Sequence, residues 1–227
     1  MISTKTVKSF EGLYDKGYDK EYPSIELVRI HKSIINNNFK KVLDFGSGHG
    51  ANGIHFLKHN FKVTFCDISN NAIKQSKKKI KKIKEIKYSK CDFIHLKSYG
   101  QFRNKKYKKN FDLIICMSVI NNLSSLKQIR SLINLFSGIM RHKGILILDT
   151  NYLNNNYPVL EKINKNTIIT SVDKKRKNPF KMTFPKNKQQ FINLIKQTNF
   201  KIKDVGNYSF KILNNFEKED IFILENQ

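Results

Sequence analysis

The chain has little of several things that would narrow its class at once. Its 227 residues include three cysteines, four prolines and 18 acidic residues against 43 lysines and arginines. The longest uninterrupted apolar run, Leu113–Met117, is far short of the roughly 20 residues that cross a bilayer. The opening MISTKTVKSFEG holds no apolar centre of the kind a secretion signal carries. A soluble, cytoplasmic protein is expected. Cys66, Cys91 and Cys116 neither pair by number nor stand at CxxC spacing, which argues against a disulfide frame or a thiolate metal centre. Reduced thiols in a core are expected instead. No internal repeat is visible, and the length suits one medium-sized domain, residues 1–227, with a substantial core.

The shortage of acids leaves a net charge of +25, which by itself suggests nucleic acid or an anionic surface. Yet the cations are overwhelmingly lysine, and lysine, asparagine and isoleucine dominate the chain together, as AT-rich coding produces. In the densest run, Lys74–Lys90, Ile73, Ser76, Ile80 and Ile83 fall at helical spacing, with lysines on the remaining faces. That pattern predicts an amphipathic helix with a solvated side. A polyanion-binding face is the competing reading.

What is present centres on Lys41–His55, KVLDFGSGHGANGIH. Val42, Leu43 and Phe45 are strand formers around Asp44, and Gly46, Gly48 and Gly50 allow a sharp turn and close approach of a ligand. A helix is expected from about Ala51, with Ile54, Phe56 and Leu57 on its buried side. Strand, glycine turn and helix N-terminus form a cradle for a nucleotide-like ligand. Gly46, Gly48 and Ala51 fit the dinucleotide pattern G-x-G-x-x-G/A, with Asp67 placed to hold a ribose diol, so a nicotinamide dehydrogenase is one reading. Asp44 and the extra Gly50 make the run D-x-G-x-G-x-G. A carboxylate there would repel a pyrophosphate and suit an ammonium group.

With these motifs in order the chain resembles the class I S-adenosylmethionine-dependent methyltransferases, of the small-molecule type. VTFCDIS, Val63–Ser69, looks like the second strand, whose terminal Asp67 would grip the ribose hydroxyls. CDF, Cys91–Phe93, looks like the adenine-edge motif, with Asp92 accepting from the exocyclic amine and Phe93 meeting the ring. FDLIICMSVINNL, Phe111–Leu123, looks like the fourth strand and the loop beside the reactive methyl, and HKGILILDT, His142–Thr150, like the fifth. The resemblance implies a doubly wound, Rossmann-like α/β fold. Its seven-stranded sheet has the order 3-2-1-4-5-7-6, last strand antiparallel, with helices on both faces. It also implies S-adenosyl-L-methionine as cofactor, held by Asp44, Gly46, Ser47, Gly48, Gly50, Asn52, Asp67, Ile68, Asp92, Phe93 and Met117.

Around the core, 41–150, three segments remain. Residues 1–40 form a prelude in which Ser24 caps a helix with Leu27, Ile30, Ile34 and Ile35 as its stripe, followed by the Asn36–Asn38 run. Tyr14, Tyr18 and Tyr22 either pin this prelude to the sheet or belong to a lid that meets substrate, as in relatives. Strands are expected at Val63–Cys66, Lys87–Cys91, Leu113–Met117 and Ile145–Leu148, and a helix over Leu126, Ile129, Ile133 and Phe136. SYGQFRNKKYKKN, before the fourth strand, reads as an exposed helix or loop. Residues 151–188, with Asn154–Asn156, Lys174–Lys177 and prolines 158, 179 and 185, read as a substrate-side insertion. Residues 189–227 supply a closing helix and an antiparallel pair, Phe200–Val205 and Asp220–Leu224.

Methyl transfer from a sulfonium gains most from holding nucleophile and methyl in line and excluding water. Asn121 and Asn122 fall where relatives orient the acceptor, and Tyr152 follows the fifth strand. A base could be Tyr14, Tyr22, His31, Asp149 or Tyr152, and the sequence does not choose. The fourth strand ends in MSVINN, not D/N-P-P-Y, which disfavours amino methylation on adenine; no proline-cysteine pair marks a cytosine enzyme. His49 belongs beside the cofactor through its backbone, and His55 and His59 lack a third metal ligand at suitable spacing, so no metal is expected. The expected partner is a small-molecule methyl acceptor taking the group on O or N. An RNA methyltransferase and a non-catalytic cofactor-binding module are the alternatives. If the lysine run is only solvated, replacing Lys77, Lys78, Lys81 and Lys82 with Glu should leave methyl turnover unchanged, as read in a transfer assay. A steep loss would mark a polyanion face.

Overall fold

A computed structural model describes residues 3–18, 20–34, 38–152, 159–171, 179–212 and 215–227. In chain order the elements are α1 (Thr4–Asp15), α2 (Ile25–Ile34), β1 (Lys41–Phe45), α3 (Ala51–Lys58), β2 (Lys62–Asp67), α4 (Asn70–Lys81) and β3 (Cys91–His95). There follow β4 (Phe111–Cys116), α5 (Leu126–Ile139), β5 (Met140–Thr150), β6 (Glu161–Lys162), β7 (Thr167–Thr170), β8 (Phe180–Thr183), α6 (Lys188–Ile195), β9 (Phe200–Ile212) and β10 (Asn215–Asn226). Seven strands form one sheet in the order β3-β2-β1-β4-β5-β10-β9, and β6-β7-β8 form a second, three-stranded sheet. β1 to β5 run parallel to one another, and β10 is antiparallel to both β5 and β9. This is the expected doubly wound order, with β9 and β10 as sixth and seventh strands.

Period-two alternation sorts the side chains onto two faces. Leu43, Ile114, Leu146, Phe222 and Leu224 join the core beneath α5 and α6, with Ile129, Ile133, Phe136, Phe191 and Ile195 from those helices. Val42, Leu113, Ile115, Ile145, Ile147 and Ile223 join the opposite core with Leu27 of α2, Ile54 and Leu57 of α3, and Ile80 of α4. The first half of the lysine run is the amphipathic helix expected of it, with Ala72, Ile73, Ser76 and Ile80 buried in α4; the helix ends at Lys81, and the rest, with Ile83, lies in the turns before β3. Among the described residues no helix is long and apolar enough to cross a membrane. The free thiols Cys66 and Cys116 are buried and Cys91 half-buried, and burial pushes the Cys91 thiol up to about 11.

Four features differ from the sequence expectation. The third strand begins at Cys91 where it was expected to end, because Tyr88–Lys90 coils into a 3-10 turn and pairing with β2 runs from Val63↔Cys91 to Asp67↔His95. The prelude contains α1, whose stripe is interrupted by polar residues; Phe10 closes a third apolar cluster with Ile168, Phe180, Met182 and Phe184 of the small sheet. In the tract before β4, Tyr99–Arg103 and Lys105–Tyr107 are 3-10 turns, anchored by buried Phe102. The insertion is built as β6 to β8 rather than as loop alone. Ile35, Asn36, Asn154–Asn156, Pro158 and Lys174–Lys177 lie outside the described residues.

Buried Asp112 fastens the start of the core. Its Oδ2 accepts from the Lys40 and Lys41 N–H groups at 2.6 and 2.8 Å, and its Oδ1 pairs with Arg141 Nε at 2.8 Å. Asp112→Ala leaves two backbone donors and a guanidinium without their acceptor. It should cost about 3 kcal/mol, read as a lower denaturant midpoint at unchanged m.

Candidate active site

The glycine turn is bonded to the end of the neighbouring strand before any ligand arrives. Gly46 and Ser47 N–H both donate to the Cys66 carbonyl, at 2.7 and 3.0 Å. Gly48 N–H donates to Asp67 Oδ2 at 2.8 Å, and Ser69 N–H to Asp67 Oδ1 at 2.8 Å. Gly46, Gly48 and Gly50 all take positive φ, 77, 51 and 87°. Space adds to conformation at two of them. A Cβ on Gly46 would come 2.2 Å from Val119 Cγ2, and one on Gly48 would come 2.8 Å from the Tyr14 hydroxyl. Only glycine lets Tyr14 lie on the turn.

Two carboxylates are buried around this turn. Burial pushes Asp67 up to about 6, against the pull of the Ser69 and Gly48 N–H groups, and nearby Glu11 pushes the same way. Asp44, 2% exposed, is raised to about 7, first by burial and then by Asp67, while Gly53 N–H, donating to its Oδ2 at 2.8 Å, opposes the shift. A carboxyl raised in the folded state contributes stability present below its ordinary range and lost as pH rises through its folded value, here about 7 for Asp44. Asp44, expected to face an ammonium group, does not line the cavity. Its side chain turns beneath the loop and satisfies the first turn of α3.

Over the turn opens a cavity of about 860 Å³, within the range of small-molecule sites. Gly46, Ser47, Gly48, His49, Asn52, Asp67, Ile68 and Met117 of the expected set line it; Gly50 stands behind, as the left-handed N-cap of α3. α1 forms the roof. Its Glu11 carboxylate accepts from the Ser69 hydroxyl at 2.8 Å and from Asn70 and Asn71 N–H at 2.7 and 3.3 Å, so the roof also caps α4. Phe10, Leu13, Phe180 and Met182 give the far wall an apolar surface. Asp149 and Glu219 also face in. Asp149 is 3% exposed and accepts from Ser118 N–H at 2.7 Å. Burial, then the Glu219 charge, hold Asp149 well above the usual carboxylate range.

Several expected residues lie elsewhere. Because β3 starts at Cys91, Asp92 sits opposite Thr64, short of the edge where Asp67 opens into the cavity. Its half-exposed carboxylate pairs with Lys62 at 3.4 Å, and Phe93 stacks on Phe65 at 5.3 Å; neither lines the cavity. Leu96 and Tyr99 occupy that wall with Ile68 and Leu123. Of the three tyrosines, Tyr14 and Tyr18 line the cavity, while Tyr22 is 73% exposed and away from it. Asn121 lines the cavity but its amide is a brace, donating to the Thr183 carbonyl at 2.9 Å and accepting from Asn151 N–H at 2.9 Å. Asn122 lines the cavity and donates to Ser118 O at 2.8 Å. Tyr152 donates to Asp220 at 2.7 Å, outside the cavity. Glu11, Leu96, Tyr99 and Glu219 were missed. Tyr99 and Leu96 stand just past the third strand, where a correct strand end would have pointed to them; nothing local marks Glu11 or Glu219.

The methyltransferase-domain family model matches residues 43–146, from within β1 to within β5. The matched region carries a methyltransferase domain, and the sheet around it has the fold of S-adenosylmethionine-dependent methyltransferases. The uncharacterised protein MJ0638 of Methanocaldococcus jannaschii is 30% identical over 160 residues, 63% of this chain and 60% of that protein, so the match spans under two thirds of the relative. A Methanosarcina mazei S-adenosylmethionine-dependent methyltransferase shares the fold at TM-score 0.71 and 14% identity, over 87% of this chain and 96% of its own. A Burkholderia thailandensis 1,6-didemethyltoxoflavin-N1-methyltransferase, crystallised with its substrate and S-adenosylhomocysteine, aligns at TM-score 0.66 and 12% identity over 98% and 88%.

Ser47 Oγ is buried in the cavity wall with no hydrogen-bond partner among the described residues. An orphaned hydroxyl beside the glycine turn fits a polar ligand there. Asp67, ionised, accepts hydroxyl donors best. Affinity for S-adenosylhomocysteine should therefore fall as pH drops through about 6, by up to about tenfold per pH unit, and Asp67→Asn should flatten that part of the profile in calorimetric titrations.

Proposed function

We propose that the protein transfers a methyl group from S-adenosylmethionine to an N or O atom of a small, largely apolar acceptor. The observation that carries this is a charge inversion. The chain has net charge +25, yet Lys20 is the only lysine or arginine among the described residues lining the cavity, against Asp67, Asp149 and Glu219. An acidic cavity in a basic protein favours a cationic cofactor and disfavours a polyphosphate. The α4 lysines lie outside it.

Asp67 and Ser47 would take the ribose and polar tail of the cofactor, and Ile68, Leu96, Tyr99 and Leu123 its base. The bound cofactor supplies an electrophilic methyl on a sulfonium. Gly46 and Gly48 let the ligand approach the backbone, and Tyr14 lies over the turn from the roof helix. The apolar wall of Phe10, Leu13, Phe180 and Met182 excludes water and orients the acceptor. Asp149 and Glu219 line the same cavity. A hydroxyl acceptor gives up its proton as the methyl arrives, and a neutral amine gives one up once methylated; the Glu219 carboxylate can receive it. The N1-methyltransferase acting on 1,6-didemethyltoxoflavin, which shares this fold, supports a small-molecule acceptor.

Glu219→Gln keeps the shape and the Asn151 contact, 3.0 Å from Oε1, but removes the negative charge. With an acceptor found by screening, this variant should lose about 10²–10⁴-fold in kcat at near-unchanged S-adenosylhomocysteine affinity. Unchanged kcat would remove Glu219 from the reaction.

A further inference from the structure

A second constellation lies on the opposite side of α3 from the cavity, where α2 crosses it. His31 of α2, His55 of α3 and His59 at the C-cap of α3 present ring nitrogens that all lie within 4.8 Å of one another. Their ring centroids are 5.0 Å (His31–His55), 4.4 Å (His31–His59) and 4.6 Å (His55–His59) apart. None of the three lines the cavity.

The rings are close enough for a shared ligand. His55 Nε2 and His31 Nδ1 are joined by a 3.1 Å hydrogen bond, which a metal ion would replace after a turn of the two rings. Two imidazole nitrogens bound tetrahedrally to one zinc ion at 2.0–2.1 Å are separated by about 3.3 Å, so this pair already has the right spacing. His59 Nδ1 is 2.8 Å from the His55 carbonyl, and because a carbonyl only accepts, Nδ1 carries the proton and Nε2 keeps its lone pair. That backbone bond is the outer contact that fixes the tautomer of a metal-ligating histidine. His31 is held by packing, stacked on Phe56 at 5.1 Å and edge-on to Phe61 at 6.1 Å. The proton shared by His31 and His55 needs only to move to an outer ring nitrogen for both inner lone pairs to be free.

We propose that His31, His55 and His59 bind one divalent transition-metal ion of the zinc class, with water in the fourth position, as a clip between α2 and α3. Three imidazoles and no thiolate or carboxylate suit zinc, nickel or copper in preference to magnesium or calcium. A small turn of the exposed His59 ring completes the set. The clip bears on the catalytic end of α3 through the same pair of helices: Ser24, just ahead of α2, donates its N–H to Asn52 Oδ1 at 2.9 Å, and Asn52 lines the cavity. Sequence spacing could not show the site, because its third ligand comes from 24 residues upstream of His55 on another helix.

The test uses the full chain, free of any histidine tag and stripped by chelator. Zinc should bind at one equivalent by calorimetry and raise Tm by about 5–10 °C at a hundredfold excess over Kd. Cobalt should bind at the same stoichiometry with the visible absorption of a tetrahedral site. His59→Ala, on an exposed ring, keeps the fold and should abolish both signals; His31→Gln should do the same if it folds. Absence of one-equivalent binding, or binding undiminished in His59→Ala, would overturn the proposal.

Discussion

The hydrogen bond from Gly48 N–H to Asp67 is the constraint on which the site depends. It joins the turn after β1 to the end of β2, alongside the two bonds that Gly46 and Ser47 give to the Cys66 carbonyl. With the turn held there, the Asp67 carboxylate is buried at the sheet edge and raised to about 6. The next residues, Ser69 and Asn70, then present the donors that Glu11 of the roof helix accepts. One backbone bond thus sets the floor of the cavity, the charge at its centre and the anchorage of its roof.

Electrostatics divides the molecule. Lysines cover the solvent side of α4 and much of the rest of the surface, while the cavity gathers Asp67, Asp149 and Glu219 with Asp44 beneath the turn. Burying that many carboxylates is costly, and their raised values record the cost. A cationic ligand would offset it by pairing with them. The surface charge and the cavity charge therefore belong to different problems, solubility and recognition.

Legibility in the sequence followed the range of the interaction. The glycine turn was readable because strand, turn and helix start lie within about fifteen consecutive residues, Lys41–His55, and β4 and β5 because each is a short continuous apolar run. The third strand was misplaced because the apolar content of Lys87–His95 is thin, and pairing with β2 decided the register that sent Asp92 and Phe93 away from the cavity. The roof helix was not seen, since its partners are the small sheet and the N-terminus of α4 rather than a regular stripe of its own. Nothing local marks Glu219, because pairing of β10 with β5 is what brings it beside Asp149.

The sequence alone determined the place of the cradle, because strand, glycine turn and helix start are written in local apolar runs and glycine spacing, and the order of its motifs carried the resemblance that implied the doubly wound class and the acid at the end of the second strand. Tertiary structure decided which acids meet, which tyrosines face inward, what forms the wall beyond Ile68, and that His31 joins His55 and His59. Those are contacts between residues far apart in the chain. Strand register and helix crossing set them, and neither is encoded by any single stretch.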